Sequence, residues 1–331
     1  HLSIRRQRQM CIRDRMSTMA KALKNVSFVM PVLNEERYLE AAVDSVFKQE
    51  VPGEMELVLA LGPSKDKTDE VAKKLKKKYG AKLQLVQSPG LTSTSLNLAI
   101  AKSKFEVVLR VDAHSELSDG YAALAIKLLN QTGAANVGGM MVAKGKTDFQ
   151  SAVAYGYNNR VGLGGGSFHV GGQAGPAETV YLGVFRRSAI AEVGGFSEAW
   201  VRGQDWELNQ RLRNAGLVVY FDPRLQVGYY PRSNWEALAK QFFKTGVWRG
   251  ALTRENPAGS SVRYWIPPLL VLGTLFWFPV WVYLVGIAIL AGIAKGITDQ
   301  QKLWLMVVLP TMHYAWGTGF WWGLFRGNKT T

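Results

Sequence analysis

The chain has 331 residues, 47% of them apolar, and a net charge of +15 at pH 7. That length allows one large domain or two smaller ones, with ample material for a core. Its single cysteine, Cys11, excludes disulfide frameworks and cysteine metal sites, and the basic excess comes without a nucleic-acid-binding motif, so no nucleic acid partner is expected.

Residues 1–15 have no apolar centre and are not a signal peptide. Their end, RQMCIRDR, resembles translated sequencing-adapter sequence, so the natural chain is expected to start at Met16 or Met19. Those residues hold five Arg and one Asp, so without them the net charge falls by four to +11, and Cys11 is lost. Residues 1–22 are read as an extension ahead of the folded chain.

Residues 26–33 are a continuous apolar run, the pattern of a strand covered on both faces. Asn34, Glu35 and Glu36 then open a helix with Leu39, Ala42, Val43, Val46 and Phe47 on one side. A second strand is expected over 56–61, a polar loop over 62–68, and a helix whose wet face carries Lys73, Lys74, Lys76, Lys77 and Lys78. Residues 82–86 and 106–111 read as two more strands, with a helix over 92–101 between them. This alternation predicts an α/β fold with a mostly parallel central sheet under helices. Ligands of such sheets sit at the carboxyl ends of strands, and Asn34, Asp66 and Asp112 all fall just past predicted strand ends.

A helix over 119–130 and a strand over 136–143 follow. The stretch 162–175 is too glycine-rich for a core element and predicts a mobile loop over the site, with His169 meeting ligand or solvent rather than a metal. A strand over 179–185 and a helix over 206–214, stopped by Gly216, lead to a short strand over 218–222. Asp205 and Glu207 stand at the start of that helix, where Asp also serves as an N-cap. Residues 234–252 are amphipathic, with Trp235, Leu238, Phe242 and Val247 set against Lys240, Lys244 and Arg249. The pattern suits a helix lying in a bilayer interface and equally a surface helix packed on the domain. The pattern breaks near 256–261.

Residues 265–294 and 303–325 are nearly uncharged, and each exceeds the roughly 20 residues that cross a bilayer core as a helix. Trp265, Trp277, Trp281, Trp304, Trp316, Trp321 and Trp322 lie in or beside them, as membrane-interface aromatics do. The expectation is a membrane region over 264–326 with two transmembrane helices, with Pro267, Pro268, Pro279 and Pro310 introducing kinks or half-helices.

Four stretches, in order, resemble family 2 glycosyltransferases: V-S-F-V-M-P-V-L-N-E-E, V-V-L-R-V-D-A-H, V-F-R-R-S-A-I-A-E-V-G-G-F and G-Q-D-W-E-L-N-Q-R-L. The resemblance spans residues 25–249, and the tail M-H-Y-A-W-G-T-G-F-W-W-G-L-F-R-G resembles the succinoglycan-biosynthesis branch of that family. It implies the nucleotide-sugar-binding GT-A fold over 23–233, followed by the amphipathic helix at 234–256 and the membrane region. It also implies that Pro31, Val32 and Glu35 line the nucleoside, that Asp112 lies beside the diphosphate and holds a divalent metal, Mn2+ or Mg2+, and that Asp205 is the general base.

Three departures from the family pattern stand out. The usual Asp-Asp-Gly-Ser loop is Leu61, Gly62, Pro63 and Ser64, with only Asp66 nearby to meet the nucleoside. Asp-x-Asp is Asp112-Ala113-His114; imidazole suits manganese better than magnesium, and the alternative role for His114 is to bind a phosphate oxygen without touching the metal. The Glu-Asp pair is Gln204-Asp205, which leaves Glu207 as a secondary acceptor group. Gln241, Trp248 and Arg249 match the processive Gln-x-x-Arg-Trp element only in part, so polymerisation is not expected.

The resemblance therefore implies an inverting bacterial enzyme at the cytoplasmic face of the inner membrane. It would move one sugar from a nucleotide-sugar, a UDP-sugar first, to a lipid-linked glycan or polysaccharide acceptor, in contact with membrane lipid. The alternatives are a polyprenyl-phosphate sugar synthase and a non-catalytic nucleotide-binding assembly protein.

Overall fold

The structure, a computed structural model, describes residues 22–163, 166–200, 203–255, 257, 260–276 and 279–327. Residues 1–21 of the extension expected at the N-terminus, Trp277 and half of the predicted break near 256–261 lie outside the described residues.

Strands β1 (Val26–Val32), β2 (Met55–Leu61), β3 (Leu83–Gln87) and β4 (Val107–Arg110) are parallel neighbours in the order β3-β2-β1-β4. Helices α1 (Leu39–Phe47), α2 (Thr68–Tyr79) and α3 (Thr92–Lys102) connect them. Alternate β1 side chains enter different cores. Phe28 and Met30 pack with Leu39, Val43 and Leu75, whereas Val29 packs with Leu96 and Ala99 of α3. A strand buried on both faces has no polar alternation to show, which is why 26–33 reads as an unbroken apolar run. The chain winds outward from β1 to β3, then returns to the other side of β1 as β4. Such a reversal opens a crevice at the carboxyl ends of the two strands.

The second half makes the sheet mixed. β8 (Tyr181–Arg186) runs antiparallel to β4 and to β6 (Asn136–Ala143). β9 (Val219–Tyr229) is parallel to β6, and β5 (Ser115–Leu117) and β7 (Gly175–Pro176) pair antiparallel with β9. Helices α4 (Tyr121–Thr132), α5 (Asp148–Tyr157), α6 (Arg160–Leu163), α7 (Ser167–Val170), α8 (Arg187–Glu192) and α9 (Gln204–Asn214) fill the connections.

The C-terminal part overturns the expectation of transmembrane helices. Among the described residues no helix is long and apolar enough to cross a membrane. The first apolar segment is divided before Pro279 into α11 (Ile266–Phe276) and α12 (Val280–Ile293), of 11 and 14 residues. Both fall short of the roughly 20 residues a span requires. The second becomes part of α13 (Asp299–Arg326), 28 residues long, whose Lys302, Thr311, His313 and Thr318 dilute its apolar content. These helices pack on the domain. Leu305, Val308, Leu309 and Met312 of α13 share a core with Phe149 and Val153 of α5, Met141 of β6, and Leu238 and Phe242 of α10 (Trp235–Glu255). The amphipathic helix thus buries its apolar side against protein.

Glycines set the approach of α10 and α13. A Cβ on Gly246 or Gly250 would run into the carbonyl oxygens of Trp316 and Phe320; one on Gly319 or Gly323 would run into those of Phe243 and Val247. A spacing of four keeps each pair on one helix face, so the seam is reciprocal. Gly323→Ala is expected to cost about 1–3 kcal/mol through overpacking. Gly286→Ala in α12, where a Cβ meets nothing within 4 Å, should stabilise by about 0.5–1 kcal/mol. Urea denaturation checks both, and equal midpoints for the two variants would refute the seam.

Candidate active site

A cleft of about 720 Å3 opens at the reversal between β1 and β4. Pro31 and Val32 at the end of β1 and Leu33 and Glu35 just after it, with Gly90, Thr92 and Ser95 at the start of α3, form one wall. Arg110, Asp112, Ala113 and His114 form the floor. The opposite wall is Gly203, Gln204, Asp205 and Trp206 from the start of α9, joined by Thr245, Trp248 and Arg249 of α10, and by Tyr264.

Arg110 organises the floor. Its Nε and Nη2 donate to Oδ1 of Asp112 at 3.1 and 2.9 Å, and its Nη1 donates to Oδ1 of Asp205. Burial works against the charge of Arg110, but Asp112 and Asp205 outweigh it and raise its pKa. Desolvation opposes ionisation of Asp112 too, yet Arg110 holds that carboxyl below its usual range. For Asp205 desolvation wins, and its pKa rises despite Arg110. The carboxylate of Asp205 is still 38% exposed, so it is desolvated enough to be a stronger base and open enough to meet a ligand. The signal for Arg110 was present in the sequence. A charge at the end of the apolar run V-V-L is buried with its strand and needs an anionic partner.

His114 Nδ1 lies 2.8 Å from Glu35 Oε1. Burial pulls its pKa down, but the hydrogen bond it donates to Glu35 and the charge of Asp112 lift it overall. Among the described residues Asp112 Oδ2 and His114 Nε2 carry no hydrogen bond, and no group of three or more His, Cys, Asp or Glu side chains could hold a metal by itself. Two open donors on one floor fit a cation whose remaining ligands are substrate phosphate oxygens, the usual manner for magnesium.

Gly203 allows the far wall to form. It has φ +75°, and a Cβ there would strike the Trp248 ring. Any other residue would be strained and would push α10 off α9. Gln204 is buried in that wall.

Five of the residues singled out in the sequence do not line the cleft. Asn34 accepts from Lys65 N. Asp66 is turned into its own loop, accepting from Thr68 N and Oγ1 and from Glu36 N. Glu207 is held in a two-point ion pair by Arg211, one helical turn away. His169 sits behind Phe168, its ring 4.1 Å from that ring and 6.0 Å from Tyr157, and burial pushes its pKa down to about 3. Gln241 bridges Tyr229 and Arg232. The glycine-rich stretch contributes Phe168 to the cleft instead.

The model of glycosyl transferase family 2 matches residues 27–194, just over half the chain. The chain belongs to glycosyltransferase family 2. It is 28% identical over 306 residues to the succinoglycan biosynthesis protein ExoA of Rhizobium meliloti (strain 1021), covering 88% of this chain and 93% of that one. It is 26% identical over 325 residues to dolichyl N-acetyl-alpha-D-glucosaminyl phosphate 3-beta-D-2,3-diacetamido-2,3-dideoxy-beta-D-glucuronosyltransferase of Methanococcus voltae, covering 92% and 98%. The mannosyltransferase PcManGT of Pyrobaculum calidifontis, solved with GDP-Man and Mn2+, superposes with a TM-score of 0.57 at 15% identity, over 89% of this chain and 86% of that one. That likeness shows the GT-A fold. The glycosyltransferase thus places its cleft where the family's sheet reverses.

Replacing the shared cation tests the floor. Arg110→Met leaves Asp112 and Asp205 facing each other without a counter-charge. It is expected to lower stability by about 3 kcal/mol at pH 7, the low end for a broken buried pair because Asp205 is partly exposed. The loss should shrink at pH 3.5, where both carboxyls take up protons. Denaturation at the two pH values checks this, and a loss independent of pH would count against the ion triad.

Proposed function

We propose that this glycosyltransferase moves one sugar from a nucleoside diphosphate donor to a hydroxyl of a glycan acceptor, with inversion in a single displacement. The observation that carries the reading is the convergence of Asp112 and Asp205 on one guanidinium at the switch point. The nucleoside lies between residues 31–33 at the end of β1 and the 90–95 segment, both in the cleft wall. Its diphosphate would lie beside Asp112 and His114, which would hold Mn2+ or Mg2+. The cation supplies electrostatic stabilisation of the charge gathering on the leaving diphosphate. Asp205 accepts the acceptor's hydroxyl proton. The acceptor oxygen bonds to the anomeric carbon as the bond to the phosphate oxygen breaks, and that electron pair leaves on the nucleoside diphosphate.

The Rhizobium relative's role in succinoglycan biosynthesis and the lipid-phosphate acceptor named for the Methanococcus relative support a glycan-building role with a lipid-linked acceptor. GDP-Man and Mn2+ in the Pyrobaculum enzyme support a nucleotide-sugar donor with a divalent cation. Exposed Leu275, Trp281, Ile293 and Phe325 on α11–α13 form an apolar surface that supports contact with lipid. A polyprenyl-phosphate acceptor arrives already ionised and needs no base, so the cleft's paired carboxylates favour the hydroxyl.

Asp205→Asn is expected to lower kcat by about 10^2–10^4 while donor affinity stays within about twofold. Asp112→Ala should abolish the response to manganese and magnesium. Release of nucleoside diphosphate from a donor panel measures both, and full activity of Asp205→Asn would refute the base. In flotation assays the chain should rise with anionic vesicles, and the double change Trp281→Ser, Leu284→Ser should reduce that fraction. Recovery of the unchanged chain wholly in the lower fraction would exclude the lipid contact.

A further inference from the structure

Arg249 is 8% exposed and lines the cleft. Its guanidinium carbon lies 4.9 Å from the Trp206 ring centre, 4.3 Å from that of Trp248 and 3.9 Å from that of Tyr264. No hydrogen bond or ion pair among the described residues reaches it. Ring faces stabilise a cation, but they leave its five N–H donors without acceptors. A charge this buried normally meets a carboxylate. The acid nearest in influence, Glu178, is engaged with Arg263 at 3.5 Å. Arg263 adds further positive charge. Its guanidinium also rests on the Tyr264 ring, at 4.9 Å, and its Nη2 donates to the Tyr264 hydroxyl at 2.9 Å.

Position says which substrate supplies the missing anion. Trp206 directly follows Asp205, both line the cleft with Arg249, and Arg249 rests on the Trp206 ring, so Arg249 stands on the base side of the cleft. On both sides of Tyr264 apolar side chains face outward, with Val262 at 82%, Ile266 at 65% and Leu269 at 56% exposure. We propose that Arg249 is the binding site for a phosphate ester carried by the acceptor, whose hydrocarbon part runs over Val262, Ile266 and Leu269. The assignment rests on Asp205 being the base. Arg249 makes and breaks no bond; it holds the acceptor so that the hydroxyl reaches Asp205.

Titration calorimetry on the full chain tests this with dodecyl phosphate, dodecyl glucoside, inorganic phosphate, UDP and GDP. The wild-type chain should bind dodecyl phosphate and not dodecyl glucoside. Arg249→Met should weaken dodecyl phosphate binding about tenfold to a hundredfold and leave nucleotide affinity within about twofold. Arg249→Lys keeps the charge but loses the planar fork, so it should weaken binding severalfold and serves if the methionine variant fails to fold. Ile266→Ser, on the exposed stretch, should weaken dodecyl phosphate but not inorganic phosphate, which separates a lipid-borne phosphate from a free one. Equal dodecyl phosphate affinity in the wild-type and Arg249→Met chains would overturn the proposal. So would a loss of UDP or GDP binding as large as the loss of dodecyl phosphate. Full transfer activity in Asp205→Asn would remove the base instead, while the calorimetric result for Arg249 would stand by itself.

Discussion

Arg110 is where the two halves of the molecule are joined electrically. Its strand, β4, lies between β1 and β8, so the backbone that carries the guanidinium cannot withdraw without opening the sheet. One of its carboxylate partners follows two residues on, just past the strand end; the other comes from a helix 95 residues later. A buried cation without partners is costly, and removing either acid leaves a charge short of compensation. The start of α9 is therefore held to the end of β4 by more than packing. The same cation sets the two acids apart. Two hydrogen bonds hold Asp112 ionised, while Asp205, with a single contact, stays closer to the proton it is proposed to accept.

The parallel half of the fold was open to reading because both sheet faces are covered there. β1, β2 and β4 are short, largely apolar runs bounded by polar turns. The antiparallel placement of β8 was not open in the same way, since strand direction depends on where the chain returns and not on local pattern. Asp112, His114, Glu35 and Asp205 all reach the cleft. Asp66, Glu207 and Gln241 did not, and each for the same reason: a polar neighbour of close sequence separation claims its side chain, through Thr68, Arg211 and Arg232 respectively. Proximity to a motif says where a backbone goes, but competition for hydrogen bonds decides where a side chain points.

The apolar tail shows a different limit. Transfer hydrophobicity is a property of a segment's composition, whereas crossing a bilayer also needs one unbroken apolar helix. The break before Pro279 shortens one candidate, and α13 spends its small residues on approaching α10. Gly246, Gly250, Gly319 and Gly323 have that spacing in the sequence, and their meaning appears only once the two helices are seen face to face.

That seam reaches into the cleft. Trp248 and Arg249 lie between Gly246 and Gly250, so the contact that fixes α10 against α13 also fixes the ring over Gly203 and the cation beside Trp206. The parallel strands build the wall that would hold a nucleotide, but they contribute nothing to the opposite wall beyond Asp205's tether to Arg110. That wall comes from α9, α10 and Tyr264, held from behind by α13. The C-terminal helices are thus part of the cleft's architecture and not an appendage to a complete domain. A shift along the α10–α13 seam would move Trp248 and Arg249 relative to Asp205 while leaving Asp112 and His114 in place.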